Sequence, residues 1–289
     1  MKIPQDTCVL VAGRGVGDHY LVASVAEAVA RHYGVRIWLA GRLDMAFLVR
    51  LFPAVEKYLH WPTHTACDVL WGTQVRGGTM FDAHFPDSEV VRKVGDQDFH
   101  FLDAYRCRLG LPPGTRLSRA RLPGQDEVAA VVAQLTKVGI EPGRFVLLGI
   151  DARTTPTTGV DLNFWQRIAL RLRDAGLLPV INAAPGTALP PESVCVAAPL
   201  ARLRALAMTS AGVCTIRSGL SDLLCDLPIP QSVIYPDVRY FAGSLRAGTS
   251  FARYELDETP YEVTVTSGSA EATSSDLARF YASRRIKRG

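Results

Sequence analysis

Short apolar runs alternate with helical patterns along both halves of the sequence, and this alternation constrains the fold more than any other feature. In the first half, strand-like runs at 8–12 and 35–39 flank an amphipathic helical pattern at 20–33. In the second half the alternation restarts, with apolar runs at 145–150 and 177–182 around another helical pattern. Strands that alternate with helices form parallel sheets covered by helices. The sequence therefore predicts an α/β fold of two Rossmann-like, doubly wound domains that face each other across a cleft.

The domain boundaries follow from stretches that interrupt this alternation. The composition around 116–125 is that of a connection, so we expect the first domain at 1–125 and the second at 126–270. Within the first domain we expect a strand at 68–71 and long loops over 73–97, which is Gly-rich, polar and weakly periodic. An irregular, Thr- and Ser-rich stretch at 259–273 leads to the C-terminal segment 271–289, which we expect to form a helix that crosses back to the first domain.

Composition narrows the classes of function. The chain has 289 residues, 48% of them hydrophobic and 21% charged, with a formal net charge of +4. This charge is mild and shows no basic block interleaved with aromatic residues, so we expect no nucleic-acid binding. No apolar run approaches the roughly 18 residues that cross a bilayer, and we expect a cytoplasmic protein without integral membrane association. The six cysteines show no metal-ligand spacing, so no metal site is expected.

A glycine-rich loop follows the first predicted strand, with the pattern G-x-G-x-G-D over residues 13–18. A dinucleotide-binding fingerprint requires G-x-G-x-x-G. The third glycine is missing here, and the acidic residue would repel a pyrophosphate. Arg42, just past the second strand, could nevertheless contact a 2′-phosphate. An NADP-dependent oxidoreductase therefore remains an alternative.

Asp18 gives this loop a second interpretation. An ionised carboxylate at the carboxyl end of a strand can act as a general base towards a hydroxyl. Small residues before it would let another molecule approach and would support the carboxylate; the loop residues are Gly13, Arg14, Gly15 and Gly17. The structural alternative is that Asp18 only caps the helix that follows.

Two loops of the second half carry candidate ligands for a phosphorylated nucleotide. Each follows a predicted strand and combines hydroxyl groups with a fixed cation, which suits phosphate oxygens. The first loop contains Asp151, Arg153, Thr154 and Thr155, and the second contains Arg217, Ser218, Gly219 and, one helical turn later, Asp222. Asp222 could bond to ribose or sugar hydroxyls. Each set also has a structural interpretation. The first would be an ordinary hydroxyl-rich loop. In the second, Ser218 would cap the helix, Arg217 would form a surface ion pair and Asp222 would be an acid on the helix surface.

These motifs resemble those of the ADP-heptose type heptosyltransferases (glycosyltransferase family 9), which have the two-domain GT-B fold. The stretch 9–18 resembles the family's opening strand and Gly-Asp loop, and 100–112 is similar to the helix before its interdomain linker. The stretch 146–155 looks like the strand and loop that hold the phosphates of the donor. The segment 217–222 occupies the place of the family's final Asp-Ser/Thr-Gly-x-x-His motif.

The sequence departs from this family in three places. Arg217 replaces the Asp of the final motif and Asp222 replaces its His, and the Lys that usually precedes a Trp is missing before Trp165. The phosphate charge would then fall to Arg153 and Arg217. The resemblance therefore implies the fold more firmly than the donor sugar and its base.

The resemblance implies an inverting glycosyltransferase that uses a nucleotide-diphosphate sugar as co-substrate, with an ADP-sugar favoured and a heptose as a candidate, and no cofactor. The first domain would bind the acceptor, with Asp18 as the base that deprotonates its hydroxyl or amine. Fixed cations and a helix N-terminus would stabilise the leaving diphosphate without a metal. We expect a small-molecule acceptor such as a natural-product intermediate, or else a cell-envelope glycan. A non-catalytic nucleotide-sugar binding protein is the remaining alternative.

Overall fold

The chain divides into two compact units in a computed structural model that describes residues 3–13, 15–61, 73–75, 78–82, 100–152, 157–183, 188–240, 243–266 and 268–285. The first unit comprises Met1–Arg121 with Arg239–Leu256, and the second comprises Leu122–Val238 with Asp257–Gly289. No helix in these described ranges combines the length and the apolar composition needed to span a bilayer.

Strands and helices alternate through both units. The strands are β1 (Thr7–Val11), β2 (Arg36–Gly41), β3 (Val55–His60), β4 (Thr73–Val75), β5 (Gly78–Asp82), β6 (Phe145–Gly149), β7 (Leu178–Asn182), β8 (Val194–Val196), β9 (Gly212–Ile216), β10 (Gln231–Pro236), β11 (Arg239–Tyr240), β12 (Gly243–Ser244) and β13 (Tyr261–Val265). The helices are α1 (Val16–Tyr33), α2 (Leu48–Leu51), α3 (Phe101–Arg108), α4 (Gln125–Lys137), α5 (Leu162–Asp174), α6 (Leu200–Met208), α7 (Gly219–Leu224), α8 (Leu245–Thr249) and α9 (Ala270–Arg285), with 3₁₀ turns at Leu43–Met45 and Phe251–Arg253.

The first unit is built on a five-stranded sheet in the order β3-β2-β1-β5-β4. All its neighbours run parallel except β4, which is antiparallel to β5. Strand β1 is apolar and completely buried, as expected of a strand covered on both faces. Helix α1 follows it and ends at Gly34, whose φ of +65° is the left-handed conformation that glycine adopts readily.

The second unit is built on a six-stranded parallel sheet in the order β13-β10-β9-β6-β7-β8. Apolar side chains of β6, β7, β9 and β10 form one core with those of α5 and α9. Trp165 of α5 and Tyr281 of α9 are the largest side chains of this core, exposed by 2% and 1%. The chain therefore has an α/β fold with parallel sheets, as the alternation of strands and helices predicts.

Two predicted irregular regions contain strands. Within 73–97, which we expected to form loops, β4 and β5 are present, and β5 pairs with β1 in the middle of the sheet. Within 259–273, β13 pairs with β10 and extends the second sheet. Both prediction errors have the same cause, because pairing with a buried neighbour stabilises a strand whose own sequence is weakly periodic. The strand expected at 68–71 lies outside the described residues.

The division into units differs from the predicted one near the C-terminus. Helix α9 belongs to the second unit, where Tyr281 is buried and its hydroxyl donates to the carbonyl of Val213. The segment that joins the first unit is instead 239–256, which lies between β10 and β13 in the sequence. The burial of Tyr281 explains why helix α9 is part of the second unit.

Candidate functional site

The carboxyl ends of β1 and β5 form the topological switch point of the first sheet. The chain starts at β1, adds β2 and β3 on one side, and then continues with β5 on the other. Val11 at the end of β1 is in register with Asp82 at the end of β5. Open α/β sheets bind ligands outside the carboxyl ends of the strands at such a point. The loop that leaves β1 here leads directly to Asp18.

Asp18 is held by hydrogen bonds to both carboxylate oxygens. Its Oδ2 accepts the backbone N–H of Gly15 at 2.9 Å, and its Oδ1 accepts the hydroxyl of Tyr105 at 3.0 Å. The side chain remains partly exposed. The Gly15 contact is the capping bond that the structural alternative predicted. The Tyr105 contact adds a constraint that helix capping does not require, and it fixes the carboxylate in one orientation.

His19 holds the same loop from its other side. Its Nδ1 bonds to the carbonyl of Gly15 at 2.7 Å, and its Nε2 accepts the backbone N–H of Arg42 at 3.3 Å. These partners define a neutral ring that donates from Nδ1, and burial lowers the pKa of this fully buried histidine. A side chain at Gly41 would collide with the ring, since a Cβ there would lie 2.1 Å from Nε2.

Arg42 makes the NADP alternative less attractive. Its guanidinium donates to Asp44 from Nε at 3.0 Å and from Nη2 at 2.5 Å. This bidentate pairing already neutralises the charge that a 2′-phosphate would need. The loop at 13–18 also lacks the third glycine of the dinucleotide fingerprint.

The second sheet has its switch point between β6 and β9. From β6 the chain builds β7 and β8 on one side and then crosses to β9 and β10 on the other. Gly149 at the end of β6 is in register with Thr215 of β9. A Cβ at Gly149 would lie 2.8 Å from Thr215 Cγ2 and 2.9 Å from Leu220 Cδ2, so a side chain there would force these two side chains to shift. The two predicted phosphate loops therefore leave the sheet at one edge.

Arg217 and Asp222 bind each other at this edge. Two guanidinium nitrogens, Nη1 and Nη2, each lie 2.9 Å from a different oxygen of Asp222. The residues are exposed by only 5% and 3%. This differs from the expected contacts of Arg217 with phosphate and of Asp222 with sugar hydroxyls. The physical reason is burial, because a buried guanidinium and a buried carboxylate each need a charged partner.

The turn between β9 and α7 is tightened by further hydrogen bonds. The hydroxyl of Ser221 accepts the backbone N–H of Ser218 at 3.1 Å and also lies 3.1 Å from Nη1 of Arg217. The hydroxyl oxygen of Ser218 is buried and has no hydrogen-bond partner among the residues that the structure describes. Gly219 begins α7 directly after it. Within the described part of the chain, the Ser218 hydroxyl is therefore an unused donor at the start of α7.

The other predicted site residues divide between exposed and undescribed positions. Asp151 is exposed, two residues after the end of β6. The remaining loop residues, Arg14, Arg153, Thr154 and Thr155, lie outside the described part of the chain. Gly13 and Gly17 are buried in the loop and first turn that lead to Asp18.

Two residues near the first switch point were not predicted as site residues. Tyr105 lies 87 positions from Asp18 in the sequence, and nothing local to either residue signals their contact. His19 follows Asp18 directly, but its role depends on partners at Gly15 and Arg42. The signal that could have found His19 is the Gly41-Arg42 pair at the end of β2, where a small residue makes room for a ring.

Solved glycosyltransferase structures match the whole chain. Heptosyltransferase II of Escherichia coli matches with a TM-score of 0.68 and 13% identity over 100% of this chain and 99% of that chain. A family 9 glycosyltransferase of Veillonella parvula matches with a TM-score of 0.63 and 11% identity over 99% of both chains. The E. coli heptosyltransferase WaaC, solved with ADP-2-deoxy-2-fluoro heptose, gives 0.54 and 13% over 95% of this chain and 98% of that chain.

The sequence itself matches no protein-family model and no curated protein. At identities this low the structural matches show the fold. The chain has the GT-B fold and resembles the ADP-heptose heptosyltransferases over its full length, as the sequence motifs predicted.

Proposed function

We propose that the chain is an inverting glycosyltransferase that moves a sugar from a nucleotide-diphosphate donor to a hydroxyl or amine of an acceptor. The observation that carries this proposal is Asp18, a partly exposed carboxylate with both oxygens oriented, at the switch point of a sheet in a GT-B chain. An ADP-sugar is the favoured donor and ADP-heptose the first to test, because WaaC, a protein of the same fold, has been solved with an ADP-heptose analogue.

The proposed reaction needs one base in the first unit. Asp18 takes the proton of the acceptor hydroxyl or amine, and the freed lone pair attacks the anomeric carbon of the donor sugar. The bond from that carbon to the diphosphate oxygen breaks, the configuration inverts, and the nucleoside diphosphate leaves with the electron pair. The hydrogen bonds from Gly15 and Tyr105 direct the carboxylate so that little reorganisation accompanies proton transfer.

The donor's diphosphate is assigned in this proposal to the carboxyl edge of the second sheet. The unused hydroxyl of Ser218 supports this assignment, because it could donate to a phosphate oxygen. Arg153 is the cation of the neighbouring loop. Arg217 takes a different role from the one the resemblance implies: paired with Asp222, it stabilises the turn that presents Ser218 and Gly219.

Metal independence is a prediction that a chelator tests. The described residues contain no group of three or more His, Cys, Asp or Glu side chains suited to a metal. The sequence does contain one Asp-x-Asp, Asp96-Gln97-Asp98, outside those residues. We expect transfer to continue at its normal rate in excess EDTA. A loss of transfer that added Mg²⁺ or Mn²⁺ restores would contradict the metal-free account.

The nucleotide specificity can be measured by thermal shift with ADP, GDP, UDP, dTDP, CMP and NADP. We expect one nucleoside diphosphate, ADP, to raise the unfolding temperature, because a ligand that binds only the folded state stabilises it by mass action. A shift with NADP and none with the diphosphates would contradict the proposal and return the loop at 13–18 to the dinucleotide interpretation.

The acceptor and the location of the protein belong to the same proposal. We propose a small-molecule acceptor and a cytoplasmic location. The amphipathic helix α5 carries Arg167, Arg171 and Arg173, but it buries its apolar face in the core of the second unit and does not offer that face to a membrane surface. Co-sedimentation with anionic lipid vesicles would contradict the small-molecule acceptor and favour a lipid-linked saccharide.

A further inference from the structure

Tyr105 is buried and aimed at Asp18. It lies on α3, is exposed by 1%, and donates its hydroxyl to Oδ1 of Asp18 at 3.0 Å. Its ring contacts Phe101 one turn earlier, with centroids 5.9 Å apart. A hydrogen bond to a charged group is stronger than one between neutral groups. Because Tyr105 lies on α3, the position of this helix determines where the hydroxyl meets the carboxylate.

The start of α3 is fixed by His100. This histidine is completely buried, and its Nδ1 accepts the backbone N–H of Leu102 at 3.3 Å. Its Nε2 bonds to the carbonyl of Ser250 at 3.0 Å. Because one ring nitrogen accepts and the other donates, a single neutral tautomer joins the first turn of α3 to residue 250. The helix begins at a cap that another segment holds in place.

Residue 250 belongs to the segment 239–256, which we call the strap. The strap leaves the second unit after β10, belongs to the first unit, and returns to the second unit at β13. Arg253 of the strap lies 3.2 Å from Asp103 on α3. Tyr254, exposed by only 3%, packs its ring edge-on against His100 with centroids 6.0 Å apart. The strap thus contacts the first turn of α3 through polar and aromatic groups.

We propose that Tyr105 is a positioning residue for Asp18 and that the strap sets the position of Tyr105 through His100 and α3. The contacts form one chain from Ser250 to His100, along α3 to Tyr105, and on to Asp18. This inference rests on the proposed function, in which Asp18 is the base. In this proposal the strap, which is remote from Asp18 in the sequence, controls the orientation of the Asp18 carboxylate.

Kinetics of Tyr105→Phe test the first link. The substitution keeps the ring and removes the hydroxyl, so we expect kcat to fall about 10- to 100-fold while the KM for the donor stays within a factor of about two. Tyr281→Phe is the matched control, because Tyr281 is as deeply buried as Tyr105 and donates its hydroxyl to the carbonyl of Val213 in the second unit. Equal kcat values for the two variants would overturn the proposal.

A double mutant tests the second link. His100→Phe keeps an aromatic ring beside Tyr254 and removes both hydrogen bonds, and we expect it to lower kcat in the same direction as Tyr105→Phe. If His100 acts through Tyr105, adding His100→Phe to Tyr105→Phe lowers kcat no further. Effects that multiply would contradict the relay. If His100→Phe does not fold, His100→Leu, which also removes both hydrogen bonds, takes its place in the cycle.

Hydrogen exchange separates this inference from the proposed function, because it needs no substrate. The amide of Gly15 donates to the carboxylate that Tyr105 orients, so we expect the peptide covering 13–19 to exchange faster in Tyr105→Phe than in Tyr281→Phe. Unchanged exchange would overturn the positioning role. Faster exchange in a protein that transfers no sugar from any nucleotide donor would uphold the positioning role and contradict the glycosyltransferase proposal.

Discussion

Arg217 and Asp222 neutralise each other inside the second unit, so the removal of one leaves the other buried with an uncompensated charge. We expect Asp222→Asn to lower the free energy of unfolding by about 3–5 kcal/mol. The matched control is Glu271→Gln, which breaks the exposed pair with Arg171 at 2.8 Å and should change it by less than about 1 kcal/mol. Urea denaturation measures both. A similar small change in the two variants would show that the buried pair is not a structural element.

His19 makes stability depend on pH. Burial lowers its pKa below the ordinary value of 6.5, opposed by its bond to the Gly15 carbonyl and by the charges of Asp18 and Asp44, and aided by Arg42. The unfolded chain therefore binds a proton near pH 6.5 that the folded chain does not yet bind. The stabilisation is complete above pH 6.5 and is lost as the pH falls below it, by at most about 1.4 kcal/mol per pH unit.

His19→Gln tests this dependence. Between pH 7 and pH 5 the free energy of unfolding should fall less in His19→Gln than in the wild type. In His32→Gln, a substitution at an exposed position, it should fall as much as in the wild type. Denaturant titrations at several pH values give the measurement. Identical pH profiles for wild type and His19→Gln would contradict the role of burial.

Individual residues could be predicted from the sequence only where their signal is local. The Gly-rich loop and Asp18 are adjacent in the chain, and Asp18 lies in the first turn of α1, which follows β1. The partner Tyr105 is far away in the chain, and only the folded sheet brings α3 to the loop. The pairing of Arg217 with Asp222 is local. Whether such residues bind each other or a ligand depends on their burial, however, and burial could not be predicted from these residues alone.

Gly149 joins two elements, since β6 approaches both Thr215 and α7 too closely for a side chain. We expect Gly149→Ala to destabilise the protein by about 1–3 kcal/mol through overpacking, and to weaken nucleotide binding by displacing α7. Gly124→Ala is the control, because a Cβ at that position meets no atom of the described residues within 4 Å. Thermal unfolding with and without ADP measures both effects. Equal unfolding temperatures for the two variants would contradict the close approach.

Strands whose sequence is a continuous, mostly apolar run were predictable, and a strand of mixed composition was not. Strands β1, β6 and β9 are continuous apolar runs, and all are completely buried. Strand β5 reads Gly-Thr-Met-Phe-Asp and is a strand because it pairs with β1. A short sequence of this kind acquires its conformation from a neighbour, and that information lies elsewhere in the chain.

At the scale of the whole molecule, the alternation of strands and helices identified the α/β fold, and the motif resemblance identified the GT-B type. The composition of the units was harder to predict. The strap reads as a continuation of the second unit, because it lies between two of its strands. Its buried groups, Leu245, Phe251 and Tyr254, instead belong to the first unit, and no periodic pattern in the sequence distinguishes one apolar core from another.

The central claim is that Asp18 is the base of a glycosyl transfer, and Asp18→Asn tests it most directly. The amide keeps the size of the side chain and can still accept hydrogen bonds, but it cannot take a proton. Transfer from ADP-heptose and other ADP-sugars should be measured together with ADP affinity, by product analysis and calorimetry. The account predicts that transfer falls by at least about 10²-fold while the affinity for ADP stays within a factor of two. Transfer at the wild-type rate would contradict it.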